Sequence, residues 1–513
     1  MTDTQRTTAP KTGMTTLFRV IGAIERAGNK LPHPFWLFWI LAAVLAVTSL
    51  VLALAGVHVT LPKTGEVVEV KNLLSLDGIG FAAKSALDNL AKFPPLAVIL
   101  VMLLGVSVAE KSGLLEALLR ITVVRLPSRW VTFAIAFSGM IAHIMSDSAY
   151  LVMIPLGALA FRAAGRSPVL GVMVAYVAVS AGFNASPLVT PSDAIRSSLT
   201  AAAAKTVDPG YVVTPVATYF FSAVSSVFLA GLITLVVELV LAKRPEFVPS
   251  EQDGDPAPAI RLTAVERRAM KVTAGALVLF VAVVAVLVVL PGSPLMGENG
   301  SFVQSAVVVN ISVFIALLFA ILGFCYGRTT GSVPALSAVP AIMAEGVAKI
   351  APVIVLFFAV SQFLAYFTWT GIGSVVAVDG ADLLRSLNAP HLVVLLAIVL
   401  AVALLNMLVT SGSAMWAILA PIVVPMMMYL QVRPEAAMGA FMIGDSVTNA
   451  VTPMSPYFVL ALGFVQQYRK NAGIGTLMSF TVPIAFVFLI AWSALFALWY
   501  GVGLPLGPGV PLR

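Results

Sequence analysis

Charge is scarce in this chain. Only 10% of its residues are Asp, Glu, Lys or Arg, against about a quarter in a typical soluble domain. So few charges cannot coat a water-facing surface for 513 residues, which excludes a soluble enzyme and a disordered chain. Cysteine is nearly absent. A lone Cys325 in an apolar run forms no intrachain disulfide, which excludes a secreted disulfide scaffold and reads as core packing. The four histidines, His33, His58, His143 and His391, are scattered, so the sequence offers no metal cluster. No Gly-Lys-Ser/Thr phosphate loop occurs, which argues against an ATP-driven pump.

Apolar residues fill the gap, at 60% of the chain with a mean hydropathy of +1.01. That is about 308 residues, a ceiling near 15 spanning helices at about 20 apiece. Runs this long exclude a β-barrel, whose strands alternate. The expected class is an all-α polytopic membrane protein. The net charge of +7 sits in short basic groups between apolar runs, where it sets topology rather than binding nucleic acid.

Those groups orient the chain. Residues 1–34 read as a cytoplasmic lead carrying Arg6, Lys11, Arg19, Arg26 and Lys30. The first transmembrane half is expected at 35–244 and the second at 272–513, joined by a hydrophilic cytoplasmic linker at 245–271. Spans are expected near Phe35–Val57, Pro94–Leu119, Pro168 onward, Tyr211–Ala242, Val272–Leu290, Phe302–Tyr326, Ala351–Val378, Ala436–Val465 and Ile474–Tyr500. The segment at about 131–161 is basic at both flanks and polar at its middle, so it reads as a hairpin that enters from the cytoplasm and returns. A second hairpin, at about 391–430, is expected to enter from outside. The sum is nine spans and two re-entrant hairpins, with the N-terminus inside and the C-terminus outside.

The chain repeats itself. Ser146-Asp-Ser-Ala149 matches Ser411-Gly-Ser-Ala414 at an offset of 265, and Asn184-Ala185 matches Asn449-Ala450 at the same offset. Each Asn-Ala is followed by a Thr-Pro, Thr190-Pro191 or Thr452-Pro453. The two hairpins enter from opposite sides, so the copies are inverted. Inverted repeats with broken helices are the plan of secondary transporters, with sites at the breaks near the midplane. The tip hydroxyls of Ser146, Ser148, Ser411 and Ser413, with Asn184 and Asn449, offer oxygen ligands suited to Na⁺. Asp147, Asp193 and Asp445 are the acids nearest the tips and breaks, and acids within a membrane are functional candidates by default. Arg196, three residues after Asp193, can pair with it on one helix face. Ser146, His143 and Asp147 supply the residue types of an intramembrane hydrolase, but their spacing gives no assured triad geometry.

Four stretches carry a resemblance: His143-Ile-Met-Ser-Asp-Ser-Ala-Tyr150, Phe183-Asn-Ala-Ser-Pro-Leu-Val-Thr-Pro-Ser-Asp193, Thr410-Ser-Gly-Ser-Ala-Met-Trp416 and Gly444-Asp-Ser-Val-Thr-Asn-Ala-Val-Thr-Pro-Met454. In combination they resemble the p-aminobenzoyl-glutamate transporter (AbgT) family, from Ile21 to about Tyr500. The resemblance implies a homodimeric carrier of the bacterial inner membrane with this nine-span, two-hairpin plan and no organic cofactor. It implies coupling to Na⁺ or H⁺, and either movement of p-aminobenzoyl-glutamate or export of sulfonamide antimetabolites. A substrate site would then draw on Asn184, Asp193, Ser413, Trp416, Asp445, Asn449 and Pro453, and an ion site on Ser146, Asp147, Ser148, Asn184, Ser411, Ser413 and Asn449. Trp416 would stack on an aminobenzoyl ring. One position departs from the family pattern as the resemblance implies it: Met442 stands where an arginine often precedes the aspartate of the eighth span. A dicarboxylate or citrate carrier of the same plan is the alternative, with an intramembrane enzyme or a channel behind it.

Overall fold

The computed structural model describes residues 32–62, 64–124, 128–244, 262–290, 292–296 and 305–510. The expected cytoplasmic lead up to residue 31 and the linker at 245–261 lie outside the described residues.

The first half runs through α1 (Pro34–Leu54), a small antiparallel pair β1 (His58–Thr60) and β2 (Val67–Glu69), α2 (Leu76–Ala91), α3 (Pro94–Lys111), α4 (Leu114–Val124), α5 (Val131–Ala142), α6 (Ser148–Ala163), α7 (Pro168–Ala181), α8 (Pro191–Ala204) and α9 (Tyr219–Leu239). The second half comprises α10 (Ala264–Val289), a single turn α11 (Ala306–Val309), α12 (Ile311–Thr330), α13 (Val339–Lys349), α14 (Ala351–Trp369), α15 (Ile372–Ser386), α16 (His391–Asn406), α17 (Gly412–Tyr429), α18 (Pro434–Val447), α19 (Pro456–Tyr468) and α20 (Ile474–Val502). Among the described residues, eight helical stretches are long and apolar enough to cross a bilayer. The shorter apolar helices include α7, α16 and both arms of the first hairpin. The molecule is an all-α polytopic membrane protein.

Several spans end where local chemistry dictates rather than where hydropathy fades. The expected second span, Pro94–Leu119, stops at Lys111, and the expected seventh, Ala351–Val378, stops at Trp369. In both cases a glycine in the left-handed region follows, Gly113 at φ 84° and Gly371 at φ 76°. That backbone geometry ends the helix and redirects the chain into a separate amphipathic helix, α4 or α15. The fourth span begins at Tyr219 rather than Tyr211, because 211–214 are irregular and 215–218 form turns. The fifth begins earlier than Val272, at Ala264, where Thr263 and Glu266 form a reciprocal capping box. The sixth, expected from Phe302, takes its long helix only from Ile311.

Prolines start the broken helices in both repeats. Pro168 and Pro434 open the incoming halves α7 and α18, and Pro191 and Pro456 open the outgoing halves α8 and α19. A proline in the first turn forfeits no intrahelical hydrogen bond there. Small residues then let the helices touch backbone to backbone. A Cβ on Gly157 of α6 would lie 2.4 Å from the Gly171 carbonyl oxygen of α7. A Cβ on Gly105 of α3 would lie 1.9 Å from the Ala316 carbonyl oxygen of α12. The repeats also interlock, since α17 packs on α8 of the first repeat and α19 packs on α6 and α7.

Candidate functional site

Both hairpin tips reach one cavity of about 410 Å³. Ser146, Asp147 and Ser148 line it from the first tip, and Thr410, Ser411, Gly412 and Ser413 from the second. Ser146 holds a positive φ of 48°, the price of turning a helix back on itself in two residues. The wall is completed by α3, the start of α8, the start of α14 and Tyr457, whose ring stacks on Tyr150 at 3.9 Å and 4°. The lining is mixed, with hydroxyls from seven serines and threonines of the tips, α3 and α8 set among apolar side chains.

Beneath the tips lies a buried polar chain that crosses between the repeats. Asp193 closes a capping box at the start of α8: its Oδ2 accepts from the Thr190 backbone N–H at 2.8 Å and from the Thr190 hydroxyl at 2.7 Å. Its Oδ1 accepts from Arg196 Nη2 at 2.5 Å. Arg196, only 4% exposed, also donates from Nη1 to Asn184 Oδ1. Asn184 in turn donates from Nδ2 to Asp445 Oδ2 at 2.8 Å and to the Met442 carbonyl at 3.0 Å. The path is Asp193, Arg196, Asn184, Asp445. A charge buried this deeply is tolerable only when paired and hydrogen-bonded. Met442 leaves α18 without a cation beside Asp445, and the compensating guanidinium instead stands on α8 of the other repeat, one amide away.

Asp445 keeps one oxygen, Oδ1, buried and without a hydrogen-bond partner. It faces the second tip: a Cβ on Gly412 would lie 2.5 Å from it. This explains the asymmetry between the tips. Asp147 occupies in the first copy the place that Gly412 holds in the second, and a side chain at 412 would collide with Asp445.

The second repeat adds residues that sequence reading missed. Asn406, at the end of α16 and fully buried, directs Nδ2 at three oxygens: the Asp445 carbonyl at 2.8 Å, the Asn449 side-chain oxygen at 2.9 Å and the Thr448 hydroxyl at 3.0 Å. An asparagine at the end of an apolar helix was the available signal. Glu110 at the end of α3 is another omission. Its Oε1 accepts from the tip hydroxyl of Ser148 and from Lys349 Nζ, both at 2.8 Å.

Two expected contacts are placed differently. Trp416 is fully buried between α17 and its neighbours, with its ring 4.5 Å from Phe441 and its indole N–H donating to the Thr200 hydroxyl at 2.9 Å. It faces helix α8 and does not line the cavity. Pro453 sits in the break between α18 and α19, beside Thr452, whose hydroxyl donates to the Met407 carbonyl at 3.0 Å. It too lies outside the cavity lining. His143 is buried and packs edge-on to Phe183. Among the described residues, no group of three or more His, Cys, Asp or Glu is placed to hold a metal.

A second cavity, of about 570 Å³, lies at the other end of the same helices. Helix α3 gives its start to this one and its later turns to the first, whereas α14 does the reverse. Helices α8 and α17 also reach both, by their first turns at the tip cavity and by later turns here.

Comparison with known proteins matches this arrangement. The family model described as "AbgT putative transporter family" matches residues 19–513. The p-aminobenzoyl-glutamate transport protein of Escherichia coli strain K12 is 35% identical over 494 residues, 96% of each chain. Among solved structures, the YdaH transporter of Alcanivorax borkumensis is 38% identical and superposes with a TM-score of 0.87 over 93% of this chain and 100% of its own. MtrF of Neisseria gonorrhoeae, described with a class of antimetabolite efflux pumps, is 36% identical with a TM-score of 0.89 over 96% of this chain and 100% of its own. This chain belongs to the AbgT family of transporters, and it is a membrane carrier rather than an enzyme.

Proposed function

We propose that the chain is an ion-coupled secondary transporter that moves p-aminobenzoyl-glutamate or exports sulfonamide antimetabolites across the bacterial inner membrane. The observation that carries this reading is the meeting of two hairpin tips from opposite repeats on one cavity, directly above the buried path from Asp193 to Asp445. A volume of about 410 Å³ suits a single small aryl amide. The names of the relatives support the same cargo class. Ser413 and the tip backbone would meet the cargo, and Asn184, Asp193, Asp445 and Asn449 would hold the floor on which it rests.

The coupling ion would be Na⁺ or H⁺. For Na⁺, the ligands are tip and break oxygens: Ser146, Asp147 and Ser148 with Asn184 in one repeat, Ser411 and Ser413 with Asn449 in the other. For H⁺, the free oxygen of Asp445 is the acceptor. The protein would work as a homodimer, with its N-terminus in the cytoplasm and its C-terminus outside, as its basic flanks direct. Flux of labelled p-aminobenzoyl-glutamate and of labelled sulfanilamide into proteoliposomes, with Na⁺ and pH gradients imposed one at a time, tests the reading. Gradient-dependent flux of either cargo is expected. Its absence for both, or flux that ignores every gradient, overturns it. Stronger competition by simple dicarboxylates than by aryl amides would move the assignment to a dicarboxylate carrier.

A further inference from the structure

The repeat extends beyond the tips. Asp88-Asn-Leu-Ala-Lys-Phe-Pro-Pro95 matches Glu345-Gly-Val-Ala-Lys-Ile-Ala-Pro352 at an offset of 257. In both copies an amphipathic helix, α2 or α13, ends at this motif and a spanning helix, α3 or α14, begins within it. The shared lysine is Lys92 in one copy and Lys349 in the other. Lys92 lines the cavity of about 570 Å³, and Lys349 lines the tip cavity of about 410 Å³. Among the described lining residues, each is the one cation of its cavity.

Neither lysine is buried by its ion pair. Lys92 is 77% exposed while bound to Asp88 at 2.7 Å, and Lys349 is 61% exposed while bound to Glu110 at 2.8 Å. The Lys92–Asp88 pair is exposed on both sides and so is weak, and in the Lys349–Glu110 pair the lysine end is exposed while Glu110 is 21% exposed, so in both the ammonium can swing to another carboxylate. The guanidinium inside is unavailable for this task, since Arg196 is committed to Asp193 and Asn184. An anionic cargo that enters either cavity therefore meets the mobile ammonium of its lining lysine on a flexible stem, and at the larger cavity Lys71 also stands 5.7 Å from the Trp369 ring. Aromatic rings share each lining with the lysine: Phe81 and Trp369, stacked at 5.2 Å and 16°, in one, and Tyr457, which lies on Tyr150, in the other.

We propose that Lys92 and Lys349 are paired carboxylate-receiving residues, one for each face of the membrane, which select anionic aryl cargo by exchanging their own acidic partners for a cargo carboxylate. At Lys349 the exchange has a further consequence. Glu110 also holds the first tip through Ser148, so a cargo that takes Lys349 alters the charge balance at the tip. The inference rests on the proposed transport of aryl carboxylates and deepens it.

The test uses the full-length chain and two cargoes, labelled p-aminobenzoyl-glutamate and neutral sulfanilamide. Equilibrium binding to purified protein and flux in right-side-out and inverted vesicles are scored separately. Lys349→Gln is expected to raise the KM for p-aminobenzoyl-glutamate about tenfold from the face of the tip cavity, with a smaller loss for sulfanilamide. Lys92→Gln should do the same from the opposite face. Lys→Arg at either position should recover most of the affinity, which a merely structural role would not predict for an exposed side chain. Equal losses for both cargoes, loss of the same sidedness in both variants, or unchanged binding in both Gln variants overturns the assignment. Wild-type protein that moves sulfanilamide but binds no p-aminobenzoyl-glutamate overturns it too, while leaving the transporter reading intact. Wild-type protein that moves neither cargo counts against the transporter reading, and the binding measurement still decides the lysines.

Discussion

At the scale of the residue, Asp445 joins the two repeats from a buried position. One of its oxygens is held by Asn184 and the other is buried without a donor. Replacing it by Asn keeps size and most hydrogen bonding but removes the charge. Asp445→Asn is expected to fold, with a melting temperature close to the parent, and to lose more than about tenfold of coupled flux. A fluorescent thermal-shift assay beside the proteoliposome assay separates the two effects. Arg196→Met should behave differently. It strands Asp193 and removes the nearest cation from Asp445, a change that costs about 3–5 kcal/mol when a buried pair loses one partner. The expected outcome is a clear drop in melting temperature, not only in flux. Gly412→Ala places a methyl group 2.5 Å from the Asp445 carboxylate, so it should abolish flux while changing no charge. The candidate acids were legible in the sequence because carboxylates are rare in apolar runs. The partner of Asp193 was legible too, since Arg196 follows it by three residues on one helix face, but Asn184 lies 261 positions before Asp445, and only folding reveals such a contact.

At the scale of the element, the hairpins depend on glycine-mediated approach. The first hairpin's returning arm crosses α7 where Gly157 and Gly171 face each other, with no space for a side chain. Gly171→Leu is expected to force the arm away and lower the melting temperature, the free-energy cost being that of overpacking, about 1–3 kcal/mol or more. A matched substitution at Gly231, where an added Cβ meets nothing, should have little effect and serves as the control. The hairpin arms themselves were readable from hydropathy and flanking charge. The breaks at Asn184–Pro191 and Asn449–Pro456 were readable from proline and from the repeat. The ends of the second and seventh spans were not, since apolar residues continue past Gly113 and Gly371 and only a left-handed backbone marks the turn. Trp416 is also governed by backbone geometry. A tryptophan near a tip invites a ligand role, but helix phase turns it toward Thr200.

At the scale of the whole molecule, the two cavities sit at opposite ends of shared helices, and four elements contribute to both. A cargo passing between them must cross the wall formed around Ile195 and Leu199 of α8 and Leu356 and Ser361 of α14. Neither cavity contains the other's lysine, so the molecule presents similar chemistry to each side. Orientation is open to direct measurement. Alkaline phosphatase fused to the C-terminus is expected to be active and a fluorescent protein at the same place dark, the outcome for an external C-terminus; the reverse pattern would invert the assigned topology. The class of the molecule and its duplication followed from composition and spacing. The second cavity did not, because it is made by helix faces rather than by any motif.

The hydrogen bond from Asn184 to Asp445 joins residues made at very different moments. As the chain emerges from the ribosome, the first half reaches the membrane with Arg196 already able to close on Asp193. The amide of Asn184 has neither of its acceptors, the Met442 carbonyl and the Asp445 carboxylate, until 258 and 261 further residues have been made. Through that interval the first half is an unfinished insertion product, held in lipid with part of its polar core open. Its rescue comes from the second half, and the two need not be covalently joined for this. Severing the chain within the linker and producing both pieces together should therefore restore a working carrier, whereas either piece alone would be a substrate for membrane quality control.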